Sequence, residues 1–177
     1  LEPEMAAAAV KAARPEIVFH LAAAGVGELF GDETGKVAVN AMGTEAVLRG
    51  AREGGVSRVV CFGTCFEYAP SATPLAETAA LSPRNPYAAS KAMAHEAARE
   101  AVAVFGQDVV WLRPFAVYGP GQPTAKLIPS LIEAAMAGRR LELGGGTAAW
   151  DYVHVYDVAA AALILGVHPA AARGVFN

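Results

Sequence analysis

A chain of 177 residues fits one domain or a large part of one. Its 54 % hydrophobic and 18 % charged content supplies ample core material and excludes a disordered chain. A formal charge of -3 with no basic stripe argues against nucleic acid as a partner, and the most apolar stretch, Val158 to Val167, is too short to span a bilayer.

Leu1 to Val10 carries two glutamates and no basic n-region, so it does not read as a signal peptide. Glu16 to Leu21 is a buried-strand candidate, as are Arg58 to Phe62 and Asp108 to Leu112: each is short, rich in β-branched or aromatic residues, and bounded by Pro, Gly or charge. Helical patterns run from Gly35 to Glu53 and from Pro86 to Phe105. Strands alternating with helices of this length predict βαβ units and a parallel sheet covered on both faces. Arg113 to Gln122 reads as a Pro/Gly-rich loop, followed by a helix from about Ala125 to Ala137. Leu141 to Leu143 and Tyr152 to Val155 read as short strands, Asp157 to about Leu165 as a last helix, and Gly174 to Asn177 as a final strand. Cys61 and Cys65 are expected to be free thiols of a cytoplasmic protein. His20, His95, His154 and His168 have no metal-ligand spacing, and no metal site is expected.

The strongest chemical signal is Tyr87-Ala-Ala-Ser-Lys91. Residues four apart share a helix face, and an ammonium beside a phenol favours the phenolate. Tyr87 is thus a candidate proton donor or acceptor, although Tyr and Lys at this spacing also occur on ordinary helices.

Six segments around that pair resemble the extended short-chain dehydrogenases/reductases of the NAD-dependent epimerase/dehydratase type, which modify nucleotide sugars. They are Pro15 to Ala23, Asn40-Ala-Met-Gly-Thr44, Val59 to Tyr68, Pro83 to Lys91, Arg113 to Gln122 and Asp151-Tyr-Val-His-Val-Tyr-Asp157. The resemblance implies a Rossmann-like α/β fold, a doubly wound parallel sheet with a small C-terminal substrate-binding portion. Residues 1–115 would form the partial dinucleotide-binding domain with the catalytic helix. Residues 116–177 would form part of the substrate-binding portion, with some segments returning to the main sheet.

Roles follow position by position from the resemblance. Thr64 would hydrogen-bond the reacting oxygen, Tyr87 would exchange the proton, and Lys91 would tune it and hold the nicotinamide ribose of NAD or NADP. Leu21, Ala22, Ala23 and Phe115 would contact the cofactor, while Asn40 suits a structural role better than a ligand contact. Cys65, Phe66, Glu67, Ala116, Tyr118 and Trp150 join Thr64 as candidate substrate contacts. A homodimer packed through the two long helices is implied as well.

Four departures from the family pattern matter. No Gly-rich phosphate-binding turn precedes the first strand, and relatives continue beyond the strand at Gly174 to Asn177, so the chain is expected to be a fragment, a truncation, or a protein whose cofactor half comes from elsewhere. Trp150 stands where many relatives carry an arginine for the diphosphate, leaving Lys126, Arg139 or Arg140 to compensate; Ala116 replaces the usual asparagine. Cys65 and Phe66 stand where sugar 4,6-dehydratases place an Asp-Glu pair, which disfavours dehydration. The expected activity is a 4-epimerase or 4-ketoreductase acting at a sugar hydroxyl or keto carbon, with nucleotide sugars as the expected substrates. The alternative is a non-catalytic homologue serving as a binding or assembly module.

Overall fold

Alternation along two neighbouring strands sets the layers of this fold. The computed structural model describes residues 2–27, 31–146, 149–168 and 173–177. Strands β1 (Ile17–His20), β2 (Arg58–Phe62), β3 (Val109–Leu112) and β6 (Gly174–Phe176) form one parallel sheet in the order β1-β2-β3-β6. Successive side chains of a strand point to opposite faces. Val59, Cys61, Val109 and Trp111 accordingly pack with Leu48, Ala51, Ala94, Ala98 and Ala101 of the helices on one side. Val60, Val110 and Leu112 pack on the other side against Ala162. Both faces are covered, which is why the strands read as continuous apolar runs.

Helices α3 (Gly43–Gly54) and α4 (Pro86–Phe105) supply the first layer, and α6 (Val155–Val167) the second. Helix α1 (Pro3–Ala13) lies against α3, where a side chain on Gly50 would collide with the Ala7 backbone. The bounds of α4 follow from local chemistry. Asn85 caps it by accepting Ala88 N–H at 2.8 Å, Pro86 occupies the first turn, and Gly106 closes it at φ 63°.

Three expectations need correction. The helix read from Gly35 to Glu53 is interrupted: α2 (Glu33–Lys36) leads into a π turn over Val37–Met42 before α3 begins. That wider turn seats Asn40, wholly buried, against the loop leaving β1. The Arg113 to Gln122 loop contains strand β4 (Ala116–Tyr118), which pairs in parallel with β5 (Tyr152–His154) in a second, two-stranded sheet. Leu141 to Leu143 is not a strand, because no strand among the described residues pairs with it. Helix α5 (Leu127–Met136) fills the interval between the two short strands. Among the described residues no helix is long and apolar enough to cross a membrane.

Candidate active site

The parallel strands end together, and their C-terminal loops carry the candidate groups, as open α/β sheets arrange their ligand sites. Thr64 follows β2 and is 6 % exposed. Its Oγ1 accepts Phe66 N–H at 3.3 Å, starting the 3₁₀ turn Cys65–Glu67. Tyr87 lies in the first turn of α4, also 6 % exposed, and Lys91 one turn later is 2 % exposed.

The Thr64 hydroxyl is close enough to Tyr87 to favour its phenolate, yet burial outweighs that pull and raises the phenol above its ordinary range; the charges of Glu67 and Cys65 push the same way. Lys91, expected to act on Tyr87, is not among the causes of this shift. The Lys91 ammonium turns toward the sheet instead, 5.8 Å from the centre of the Trp111 ring, and acts electrostatically on Cys61 and His20. Burial lowers its own pKa. Among the described residues Lys91 Nζ has no hydrogen-bond acceptor. An ammonium at the end of a side chain buried to 2 % exposure, with no oxygen bound, is suited to a ligand that brings one, such as a ribose hydroxyl.

The loop after β1 is prepared for close approach. Asn40 Oδ1 accepts Ala24 N–H at 2.8 Å, and Asn40 Nδ2 donates to Ala24 O at 2.9 Å and to Ser90 Oγ at 2.8 Å. Leu21 and Ala22 remain exposed and Ala23 half-buried, so a flat group can lie along Leu21 to Ala23. Beneath the loop, Thr44 Oγ1 donates to Asn40 O at 2.6 Å, which leaves His20 Nε2 to donate to Thr44 Oγ1 at 3.0 Å. Burial first, and Lys91 second, lower His20 to about 4.

A cavity of about 610 Å³ opens beside these groups. Cys65, Phe66, Phe115 and Trp150 line it, with the Phe66 and Trp150 rings edge to face at 6.1 Å. It reaches Cys65, next to Thr64, and Asn85, two residues before Tyr87. Phe115 stacks on Tyr68 at 6.4 Å and also borders a second cavity of about 430 Å³. Tyr118 lines that second cavity and not the first; Ala116 lines neither, its backbone being engaged with β5.

Glu67 is not a cavity residue. It is wholly buried, with Oε2 accepting Arg113 Nε at 2.8 Å and Oε1 accepting Thr64 N–H at 2.9 Å. The signal was present in the sequence: Thr64 and Glu67 stand three apart, the spacing of a capping box. Arg84 also went unnoticed. It lines the cavity, whereas Lys126, Arg139 and Arg140 do not.

Parallel strands, helices on both faces and polar groups gathered at the strand ends define a Rossmann-like α/β protein. The chain belongs to the NAD dependent epimerase/dehydratase family, whose model matches residues 1–177. It is 34 % identical over 152 residues to a UDP-glucose 4-epimerase of Mycolicibacterium smegmatis, covering 82 % of this chain and 49 % of that protein. It is 32 % identical over 165 residues to a GDP-6-deoxy-D-mannose reductase of Pseudomonas aeruginosa, covering 87 % and 54 %. Among solved structures, WbmG of Bordetella bronchiseptica in complex with NAD and UDP superposes with a TM-score of 0.83 at 26 % identity, covering 99 % of this chain and 54 % of that one. The chain spans about half the length of the curated relatives it matches.

Proposed function

We propose that this chain carries the catalytic and substrate-facing part of an NAD(P)-dependent enzyme acting at a hydroxyl or keto carbon of a nucleotide sugar, as a 4-epimerase or 4-ketoreductase. One observation carries the reading: the Thr64 hydroxyl lies beside the buried Tyr87 phenol where the strands end, with Lys91 one turn further along the same helix. The two relatives, an epimerase and a reductase of nucleotide sugars, support the same reaction class.

Nicotinamide, when bound, supplies hydride exchange at the sugar carbon. Lys91 would hold its ribose, and Leu21, Ala22, Ala23 and Phe115 would lie along it. Thr64 would orient the reacting oxygen. Tyr87, its phenol raised further above its ordinary range by burial, would donate to a keto oxygen in the ketoreductase direction. Removing a proton from a hydroxyl requires the opposite bias, which the Thr64 hydroxyl favours. Phe66 and Trp150 would cover the sugar face, and Arg84 would meet the diphosphate. Cys65 and Phe66 offer no acid–base pair for eliminating water. Exposed Met42 and Met93, on the π turn and on α4, fit a homodimer packed through the helices beside them.

The test is turnover of UDP-, GDP- and dTDP-linked sugars by the protein carrying this chain, wild type against Tyr87→Phe. Loss of the proton-transferring group should lower kcat by about a hundredfold to ten-thousandfold. Equal rates in the two proteins would refute the role given to Tyr87.

A further inference from the structure

Glu67 and Arg113 form the most deeply buried ion pair among the described residues, and nothing in the chemistry above uses it. Their side chains are 0 % and 1 % exposed. The carboxylate collects three donors: Thr64 N–H at 2.9 Å, Arg113 Nε at 2.8 Å, and Trp111 Nε1 at 3.3 Å and 3.4 Å to its two oxygens. A carboxylate accepts all three; an amide oxygen offers fewer lone pairs, and an apolar side chain none.

The surrounding residues are fitted to that carboxylate. A Cβ at position 63 would overlap both Glu67 Oε1 and Trp111 Nε1, so glycine is the residue that lets the group pass. Arg113 spends its other nitrogens on Tyr68 Oη at 3.0 Å, on Glu77 O at 3.4 Å and on His95 Nδ1 at 3.1 Å. A guanidinium only donates, so His95 Nδ1 accepts and the imidazole is neutral. Burial and the Arg113 charge agree with that state, lowering His95 to about 4.

The connectivity gives the pair a task. Thr64 sits on the loop after β2, whereas Tyr87 and Lys91 ride on α4. His95 lies on α4 one turn beyond Lys91. The chain Thr64 N–H, Glu67, Arg113, His95 therefore joins the two elements whose relative placement decides whether Thr64 faces Tyr87. We propose that Glu67 is a positioning residue, which with Arg113 fixes the Thr64 hydroxyl against the Tyr87 phenol without touching substrate. This rests on the reading that Thr64 and Tyr87 serve the reacting oxygen.

Removing one member alone would strand a buried charge, so the decisive variant removes both. Replacing a buried ion pair by apolar side chains of similar volume often preserves the fold. In the protein carrying this chain, Glu67→Leu/Arg113→Met should remain folded by circular dichroism. Its kcat on the nucleotide sugar that wild type turns over should fall by about tenfold to a hundredfold, with KM changed by less than about threefold, since a misplacement near 1 Å acts on the rate. Glu67→Gln, which keeps an acceptor for Thr64 N–H, should recover part of that kcat and serves as the reporter if the double variant does not fold. Tyr87→Phe is measured alongside. If Tyr87→Phe is inactive while a folded double variant, or Glu67→Gln in its place, keeps wild-type kcat, the positioning role is overturned and the functional reading stands. If Tyr87→Phe is fully active, the functional reading fails and the positioning role fails with it. A rise in KM at unchanged kcat also overturns the proposal, because it would make Glu67 a binding residue.

Discussion

Asn40 grips Ala24 by both of its backbone groups, accepting its N–H at 2.8 Å and donating to its C=O at 2.9 Å. A wholly buried side chain in the π turn thereby sets the course of the loop that leaves β1 past the candidate cofactor surface. Asn40→Ala would leave both Ala24 groups without these partners, while Ser90 Oγ would lose one donor and still donate to Tyr87 O at 2.8 Å. It should destabilise the fold by about 1–3 kcal/mol for each group left buried and unpaired. The same change should weaken NAD(H) binding while leaving the Tyr87 environment in place. Urea denaturation and a cofactor titration of wild type and variant check both outcomes.

Gly63 is fixed by packing rather than by a special backbone angle, since a methyl group there meets Glu67 and Trp111. Gly63→Ala should therefore cost about 1–3 kcal/mol by overpacking. It should also lower kcat by displacing the Glu67 contact with Thr64. Gly55→Ala is the control, because its Cβ would meet nothing within 4 Å and any cost there comes from its φ of 72° alone. Thermal melts together with kcat separate the two glycines: only Gly63→Ala should change turnover.

His20 and His95 are both lowered to about 4 from 6.5, chiefly by burial. Above pH 6.5 neither state of the chain binds the extra protons, and stability is unaffected. As the pH falls from about 6.5 toward 4, the unfolded chain takes protons that the folded chain refuses. Stability should then drop by about 1.4 kcal/mol per pH unit for each histidine, levelling off below the folded value. His20→Gln keeps a donor for Thr44 and cannot be protonated, so its denaturation midpoint should fall less steeply over that window. Identical slopes for the two proteins would contradict the assignment.

Arg84 lies on the wall that Trp150 shares, and it supplies a cation where Trp150 supplies none. Arg84→Ala should raise KM for a nucleotide sugar by about tenfold, the order of one charge-assisted hydrogen bond, with kcat little changed. Trp150→Arg should lower KM. Steady-state kinetics on both variants decide whether the diphosphate is met on this wall.

Sequence pattern recovered the parallel sheet because its strands are buried on both faces and read as short apolar runs. It recovered α4 to the residue because Asn85, Pro86 and Gly106 mark both ends chemically. The π turn was not legible, since Val37 to Met42 has an ordinary helical composition and its irregularity comes from the contacts of Asn40. Strand β4 was hidden among Pro and Gly residues that signal a loop, and its partner β5 lies more than thirty residues away. In the candidate site, Tyr87 and Lys91 were singled out by their four-residue spacing together with the family-like segments around them. The direction in which burial moves the Tyr87 phenol was not legible, because it depends on packing from several elements. Glu67 was misassigned to the substrate wall for a related reason: its partner Arg113 is brought to it by the pairing of β2 with β3.

The most direct measurement mixes the NAD-loaded protein carrying this chain with a nucleotide sugar and follows the absorbance of reduced nicotinamide through the first turnover. Wild type should show the reduced form appear with at least one nucleotide sugar, and Tyr87→Phe, folded and equally loaded, should slow that appearance by about a hundredfold or more. No reduced nicotinamide from a folded, NAD-loaded wild type with any UDP-, GDP- or dTDP-linked sugar, in a protein that also fails to oxidise NADH with their 4-keto forms, would contradict the proposed function.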